Sequence, residues 1–260
     1  MRYVRYQHGG EDRWGFLVND QLIQPLDGAP YEDGSPRGTP LPLNAVTLLA
    51  PCSPSKIVAV GKNYQDHIDE FDSERPANPI LFIKPSTTVL APDATLNLPP
   101  RSITGQVDYE GELAIVIGKQ ATRIKAGQYA DYVLGYTCLN DVTARDLQSK
   151  DGQWTRAKGM DHFAPVGPVI ETELDPSDLQ LRTRLNHQLV QESKTSLMIW
   201  KIPELLEFIT AHITLLPGDV VATGTPAGVG PMKPGDLVEV SIEGIGVLKT
   251  HIADSVADAE

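Results

Sequence analysis

Cysteine is nearly absent from this 260-residue chain, which has only Cys52 and Cys138. Two thiols in apolar settings cannot form a disulfide framework and lack the spacing of a zinc site, so both read as reduced and buried. Positive charge is also scarce. Lys and Arg number 22 against 34 Asp and Glu, a net charge of −12, which argues against nucleic acid or an anionic membrane as partner. A small anionic substrate would therefore need local cations or a metal. No run approaches the roughly 18 apolar residues that span a bilayer. The N-terminal MRYVRYQHGG has no apolar signal-peptide core, and a cytoplasmic location is expected. Phosphate-binding signatures are missing too: no Gly-Lys-Ser/Thr closes a Walker A loop, and G-x-G-x-x-G does not occur. There is no internal repeat and no low-complexity tail.

What the chain does have is strand and turn signals. Residues 1–50 read as a small β unit, with YVRY, RWGFLV and QLIQPL as strands between the turns HGGED and VNDQ. The stretch DGAPYEDGSPRGTPLPL leads out of it, and residues 51–260 form a larger second unit. From KIVAVG onward, turns such as PPRS, LPGD, GTPAGVG, KPGD and EGIG recur at short intervals. That pattern predicts a β-rich α+β architecture and not a doubly wound sheet. IPELLEFITAHI is the convincing helix, with Leu205, Leu206, Ile209 and Ile213 in one apolar stripe.

The stretch DYEGELAIVIGK, residues 108–119, poses the functional question. Leu113 to Ile117 read as a buried strand closed by Gly118. Period-2 alternation would put Glu110 and Glu112 on one face, roughly 7 Å apart at Cα. Two like charges at a half-buried spot repel unless a proton or cation lies between them. The competing reading is that both glutamates decorate the solvent face of an edge strand.

GYTCLNDVTARDLQ begins as a strand and turns into a helix, for which Thr143 is the predicted N-cap and Asp146 its capping-box partner. Asp141 then lies at the strand's end, where it would complete an all-oxygen site with Glu110 and Glu112, the kind Mg²⁺ or Mn²⁺ prefers. Arg145 and Gln148, at i and i+3, could hold a substrate carboxylate, unless Arg145 merely pairs with Asp146 or with solvent. In VGKNYQDHIDEF a short helix opening near Asn63 would place His67 and Glu70 on one face as a base and its orienting carboxylate. The alternative for that segment, with Asp66, Asp69, Asp72 and Glu74 nearby, is a solvated acidic helix. Lys158 in QWTRAKGMDHF adjoins a glycine. Thr225 and its neighbouring amides in ATGTPAGVG could stabilise an oxyanion, or simply make a tight turn.

Taken in order, VAVGKNYQDHIDE, PILFIKPST, DYEGELAIVIGK, NDVTARDLQ, WTRAKGMD and DVVATGTPAGVGPMKPGD resemble the fumarylacetoacetate hydrolase family from about residue 55 to 250. The resemblance implies a mixed β-sandwich roll, usually homodimeric, with Glu110, Glu112 and Asp141 as ligands of Mg²⁺ or Mn²⁺. It implies that His67 and Glu70 form a water-activating pair on a lid, and that Arg145, Gln148, Lys158 and Thr225 line the substrate pocket, Lys158 with a catalytic role. Implied substrates are small 2-oxo or 2,4-dioxo acids bound to the metal. They would be cleaved as acylpyruvates through a pyruvate enolate, decarboxylated or tautomerised as oxaloacetate, or isomerised as products of aromatic catabolism. A non-catalytic, metal-stabilised binding protein is the rival from a different class. Met160 stands where many relatives have Phe, with His162 just beyond it.

Overall fold

In the computed structural model, which describes residues 1–255, the three N-terminal runs are strands β1 (Arg2–His8), β2 (Glu11–Asn19) and β3 (Leu22–Leu26). They pair antiparallel in sequence order. Two short strands, β4 (Leu41–Pro42) against β3 and β5 (Thr47–Leu49) against β1, complete this part. Residues 256–260, the end of the predicted second unit, lie outside the described residues.

The second part opens with β6 (Lys56–Gly61), helix α1 (Gln65–Glu70) and β7 (Ile80–Pro85), which returns antiparallel to β6. Short strands β8 (Val89–Leu90), β9 (Ala94–Asn97) and β10 (Val107–Tyr109) lead to β11 (Gly111–Ile117). Next come β12 (Val133–Asn140), the two-residue β13 (Thr143–Ala144), helices α2 (Arg145–Asp151) and α3 (Thr155–Lys158), and β14 (Ala164–Glu171). The hairpin of β15 (Gln180–Leu185) and β16 (Gln188–Lys194) is followed by α4 (Ile202–His212). Strands β17 (Val220–Ala222), β18 (Gly230–Pro231), β19 (Leu237–Ile242) and β20 (Gly246–Ala253) close the chain.

The main sheet has the order β4-β3-β2-β1-β14-β12-β11-β17-β6-β7, with β5 and β8 attached to β1 and β14. Because β1 pairs with β14, one sheet runs through both parts of the chain. A second sheet, β16-β15-β19-β20-β9, and a small third, β13-β10-β18, complete a β-rich α+β architecture. The sheets are mixed: β6 with β17, β8 with β14 and β9 with β20 are parallel pairs. Among the described residues no helix is long and apolar enough to cross a membrane.

Alternation along the central strands sorts side chains into two cores. Leu113, Ile115 and Ile117 of β11 enter the larger one, with Val58 and Val60 of β6 and Val221 of β17. Ala114 and Val116 enter the smaller one with Ile57, Ala59, Val220 and Ala222. A strand buried on both faces reads as a continuous apolar run, as β11 does. In α4, Ile202, Leu205, Leu206 and Ile209 are buried, but the helix ends at His212 and Ile213 is already extended. The predicted stripe therefore ends one residue early, since the chain must turn there to deliver Leu215 to its bridge with Ala121.

The start of the parallel pair β6·β17 is pinned by buried Asp219, whose Oδ1 accepts from Ser55 N (2.9 Å), Ser55 Oγ (2.7 Å) and Lys56 N (3.2 Å). Its Oδ2 accepts from Lys56 Nζ (2.5 Å) and Leu216 N (2.9 Å). Burial pushes its pKa up, but these donors outweigh it and hold the carboxyl below its ordinary value. A folded-state pKa below the unfolded one gives stability that is present above the unfolded pKa and lost as pH falls through the folded one. Asp219→Asn is therefore expected to lower the unfolding free energy at pH 7 by about 2–4 kcal/mol, as for a buried charge network losing its anion. In urea unfolding across pH, the gap to the native protein should narrow below about pH 4, the usual range of an unfolded Asp. A gap unchanged between pH 7 and pH 3 would show that the charge contributes nothing.

Candidate active site

The chain leaves the small third sheet at the end of β10 and enters the main sheet at β11, and Glu110 occupies the break between them. Side-chain amides replace the missing ladder partners. Glu110 N donates to Asn140 Oδ1 (2.9 Å) and Gly111 N to Gln191 Oε1 (3.0 Å). The register of Gly111 with Asn140 brings the residue after β12 alongside, and Asp141 N donates to Glu110 O (2.8 Å). Glu110, Glu112 and Asp141 thus converge, with one carboxylate oxygen from each inside a 4.8 Å cluster. All three are at most 4% exposed, and β11 is flanked by β12 and β17. The edge-strand reading of the glutamates fails on both counts.

Burying three carboxylates together demands positive charge. Lys158 Nζ lies 2.8 Å from Glu110 Oε2 and 2.7 Å from Asp141 Oδ2. Lys84 Nζ lies 2.6 Å from Asp141 Oδ1, and Arg145 Nη2 lies 2.5 Å from Glu110 Oε1. Arg145 also donates through Nε to Asp108 Oδ2 (2.8 Å) and through Nη1 to Gln148 Oε1 (2.5 Å). Asp146 is not its partner; that carboxylate holds Thr104 and Gly105 instead. Burial pushes the Glu110 pKa up, yet the Lys158 and Arg145 charges outweigh it and hold the carboxyl well below the usual range. Glu112 is pushed well above it by burial and by the neighbouring Asp141 and Glu110 charges. Burial likewise depresses Lys84, whereas at Lys158 it is overcome by Asp141 and Glu110, which raise the pKa.

Glu112 is the uncompensated member. Its Oε2 accepts the Gly224 N–H (2.7 Å), but no ammonium or guanidinium bonds to it among the described residues. A buried, all-oxygen donor set that still lacks positive charge fits a hard divalent cation, and these three carboxylates could hold one. Lys158 bridges two of them and would share their oxygens with such an ion.

The carboxylates form the floor of a cleft of about 240 Å³, which His67, Arg145, Gln148, Lys158 and Thr225 also line. Phe82 and Trp154 make an apolar wall, in edge-on contact at 5.3 Å. Gly61 permits this, because a Cβ there would lie 2.5 Å from the Trp154 ring. On α1, His67 and Ile68 are buried and the acidic residues face outward, so the helix is solvated on one side only. His67 Nδ1 lies 3.2 Å from Glu70 Oε2, and Nε2 has no protein partner among the described residues. Glu70 does not line the cleft; its other oxygen accepts Gly228 N (3.0 Å).

Two local expectations need correction. The α1 helix opens at Gln65, while Asn63 stays buried and bonds to Thr223 O and Trp200. Thr143 does not cap α2: it is in β13, its hydroxyl donates to Asp141 O (2.8 Å), and Ala144 precedes the helix without a side-chain cap. The Thr225 hydroxyl donates to Gly111 O (3.0 Å), so its proton is already committed. Met160 and His162 are not among the residues lining the cleft.

Sequence reasoning passed over Lys84, Asp108, Phe82, Trp154, Lys62 and Gln191. A lysine two residues after Phe82 in an apolar strand was a signal for Lys84, because alternation puts both on one face. Gln191, in a plain hairpin strand, carried no signal.

Residues 56–253 match the family model described as fumarylacetoacetate (FAA) hydrolase C-terminal, and residues 1–51 match one described as Rv2993c-like, N-terminal. Protein Rv2993c of Mycobacterium tuberculosis is 53% identical, with 90% of this chain and 92% of that protein covered. A Bacillus subtilis protein named oxaloacetate tautomerase YisK is 42% identical, over 81% of this chain and 74% of its own. The crystal structure of 5-carboxymethyl-2-hydroxymuconate delta-isomerase from Mycobacterium smegmatis matches with a TM-score of 0.92 and 43% identity, covering 98% of this chain and 100% of that one. On a model match across three quarters of its length, the chain belongs to the fumarylacetoacetate hydrolase family.

Proposed function

We propose that the protein is a divalent-cation-dependent enzyme of small 2-oxo acids, and that it interconverts the keto and enol forms of oxaloacetate. One observation carries this: Glu110, Glu112 and Asp141 share a single cleft with Arg145, Lys158 and His67. The relatives named oxaloacetate tautomerase support the choice of substrate. Mg²⁺ or Mn²⁺ held by the three carboxylates would act as a Lewis acid on the 2-oxo group and stabilise the enolate.

The remaining work falls to the chain's own groups. His67 Nε2 faces no protein partner among the described residues, and the Glu70 side chain at Nδ1 fixes the tautomer in which Nε2 is basic, ready to take the proton from C3. The Lys158 ammonium, held charged by Glu110 and Asp141, donates a hydrogen bond to the oxygen on which negative charge develops. A proton then adds to that oxygen to give the enol, or returns to C3 in the reverse direction. Phe82 and Trp154 keep water from that side of the cleft. Lys62, held at φ 56°, is the cleft-lining cation with no anionic partner among the described residues, and its ammonium suits the second carboxylate of oxaloacetate.

The His67–Glu70 pair also favours a second reading, acylpyruvate hydrolysis. There the same Nε2 deprotonates water, which attacks the distal carbonyl and releases pyruvate enolate.

Following the enol absorbance of oxaloacetate, alongside acetylpyruvate and fumarylpyruvate cleavage, with Mg²⁺, Mn²⁺ or a chelator, separates these readings. Glu112→Gln is expected to weaken Mn²⁺ binding by at least about 10-fold in calorimetry and to remove cation-dependent turnover, since it deletes one anionic ligand of three. Full turnover in chelator would end the cation-dependent reading. His67→Ala should slow proton transfer, or hydrolysis if that is the activity, by about 100-fold, the usual scale of a lost general base. An unchanged rate would leave His67 a packing residue. Lys62→Met should raise KM for oxaloacetate about 10-fold, the scale of one charge-assisted hydrogen bond, and KM for monoanionic acetylpyruvate much less. Equal effects on both would remove Lys62 from substrate recognition.

A further inference from the structure

Gln191 lies on β16, in the second sheet, and takes no part in lining the cleft. It is 1% exposed, and its amide is fully bonded. Oε1 accepts Gly111 N (3.0 Å), while Nε2 donates to Thr225 Oγ1 (2.8 Å) and Pro226 O (2.9 Å). Thr225 Oγ1 in turn donates to Gly111 O (3.0 Å), which closes a ring through Gly111, Gln191 and Thr225. The ring fixes its own polarity. Turning the amide over would aim an NH₂ at the Gly111 N–H and an oxygen at Pro226 O, so only one orientation satisfies every group.

Each end of this ring reaches the proposed machinery. Gly111 is the residue between Glu110 and Glu112, so the peptide that Gln191 holds sets where both carboxylates emerge. A side chain at 111 is excluded, because a Cβ would lie 2.1 Å from Thr183 Oγ1. At the other end, the loop after Pro226 presses on the neighbouring residue of β16. Gly228, at φ 98°, has room for no Cβ, which would lie 2.0 Å from Val190 O. The Gly228 N–H donates to Glu70 Oε1 (3.0 Å), and Glu70 Oε2 holds His67 Nδ1 (3.2 Å). One side chain thus stands between the carboxylate strand and the loop that anchors the histidine pair.

We propose that Gln191 is a positioning residue: by bonding Gly111, Thr225 and Pro226 together it sets the carboxylate triad and the His67–Glu70 pair in one frame. Its effects on turnover and on cation affinity rest on the function proposed above, whereas its effect on amide exchange does not.

Gln191→Met keeps the side chain's length and removes all three hydrogen bonds. Thr183→Val, on the adjacent β15, is the control, because the Thr183 hydroxyl has no hydrogen-bond partner among the described residues and packs against the same Gly111. In Q191M, Mn²⁺ affinity read by electron paramagnetic resonance without substrate should fall about 10-fold. The kcat for oxaloacetate should fall at least as far, with KM changed less than about threefold. Deuterium exchange at Gly111 N and at Gly228 N should both quicken about 10-fold, while T183V leaves all of these within threefold of native. Should Q191M not fold, Gln191→Glu decides: it retains the acceptor for Gly111 N and loses the donor pair, so exchange should quicken at Gly228 and not at Gly111. Q191M matching T183V in Mn²⁺ affinity and in Gly228 exchange overturns the proposal, as does a Q191E in which neither amide changes. If the native protein never turns over oxaloacetate, the proposed function fails while the exchange results still judge Gln191.

Discussion

Buried negative charge is the constraint to which the rest of this structure answers. Three carboxylates brought within 4.8 Å in a buried site repel strongly, and such a cluster persists only if cations or protons are built around it. The chain supplies cations unevenly. Both oxygens of Glu110 are met, by Arg145 and Lys158, and both of Asp141, by Lys84 and Lys158. Glu112 receives, among the described residues, a backbone N–H alone. Structural ion networks tend toward full pairing, whereas this one leaves its deficit at a carboxylate that lines the cleft. A perturbed group in such a position is a mark of a functional site.

Holding that cluster in place requires precision where the β-ladder is weakest. Strand pairing lapses at Glu110, and the side-chain amides of Asn140 and Gln191 take over as acceptors for the two successive N–H groups. Close backbone approach does the rest. Gly224, at φ 99°, lies where a Cβ would come within 2.8 Å of Asn63 Cβ, and Asn63 itself bonds to Thr223 O (2.8 Å). That packing aims the Gly224 N–H at Glu112. A bulkier residue at 111 or 224 would displace a carboxylate, or its donor, by more than a metal site tolerates.

How much of this the sequence disclosed follows from where the information lies. Glu110, Glu112 and Asp141 were legible because acidic residues bounding apolar strands violate the burial rule, and a violation points to chemistry. Their burial was not legible, since an edge strand and a central strand share the same alternation until the pairing partners are known. The helix cap was misjudged for a related reason. Thr143 has the right residue type, but the competing acceptor, Asp141 O, exists only once the bend has formed. Lys84 and Gln191 illustrate the remaining gap. Each acts on a residue more than 50 positions away, so even the local signal of a lysine in an apolar strand could not name the partner of Lys84, and Gln191 sits in no local pattern that marks it.

The overall charge and the site charge pull in opposite directions, and this bears on selectivity. A chain of net charge −12 repels anions at long range, and most of the cleft's own cations are spent on carboxylates. Arg145 and Lys158 can orient an anion, but their charge is already largely balanced by Glu110, Asp141 and Asp108. On the proposed reading, net attraction for a 2-oxo acid therefore comes from two places: the ion that offsets Glu112, and unpaired Lys62 at the cleft wall. The first recognises the 2-oxo carboxylate end common to all candidate substrates. The second acts on the far end, where those substrates differ, so discrimination among them belongs to the wall of the cleft and not to its acidic floor.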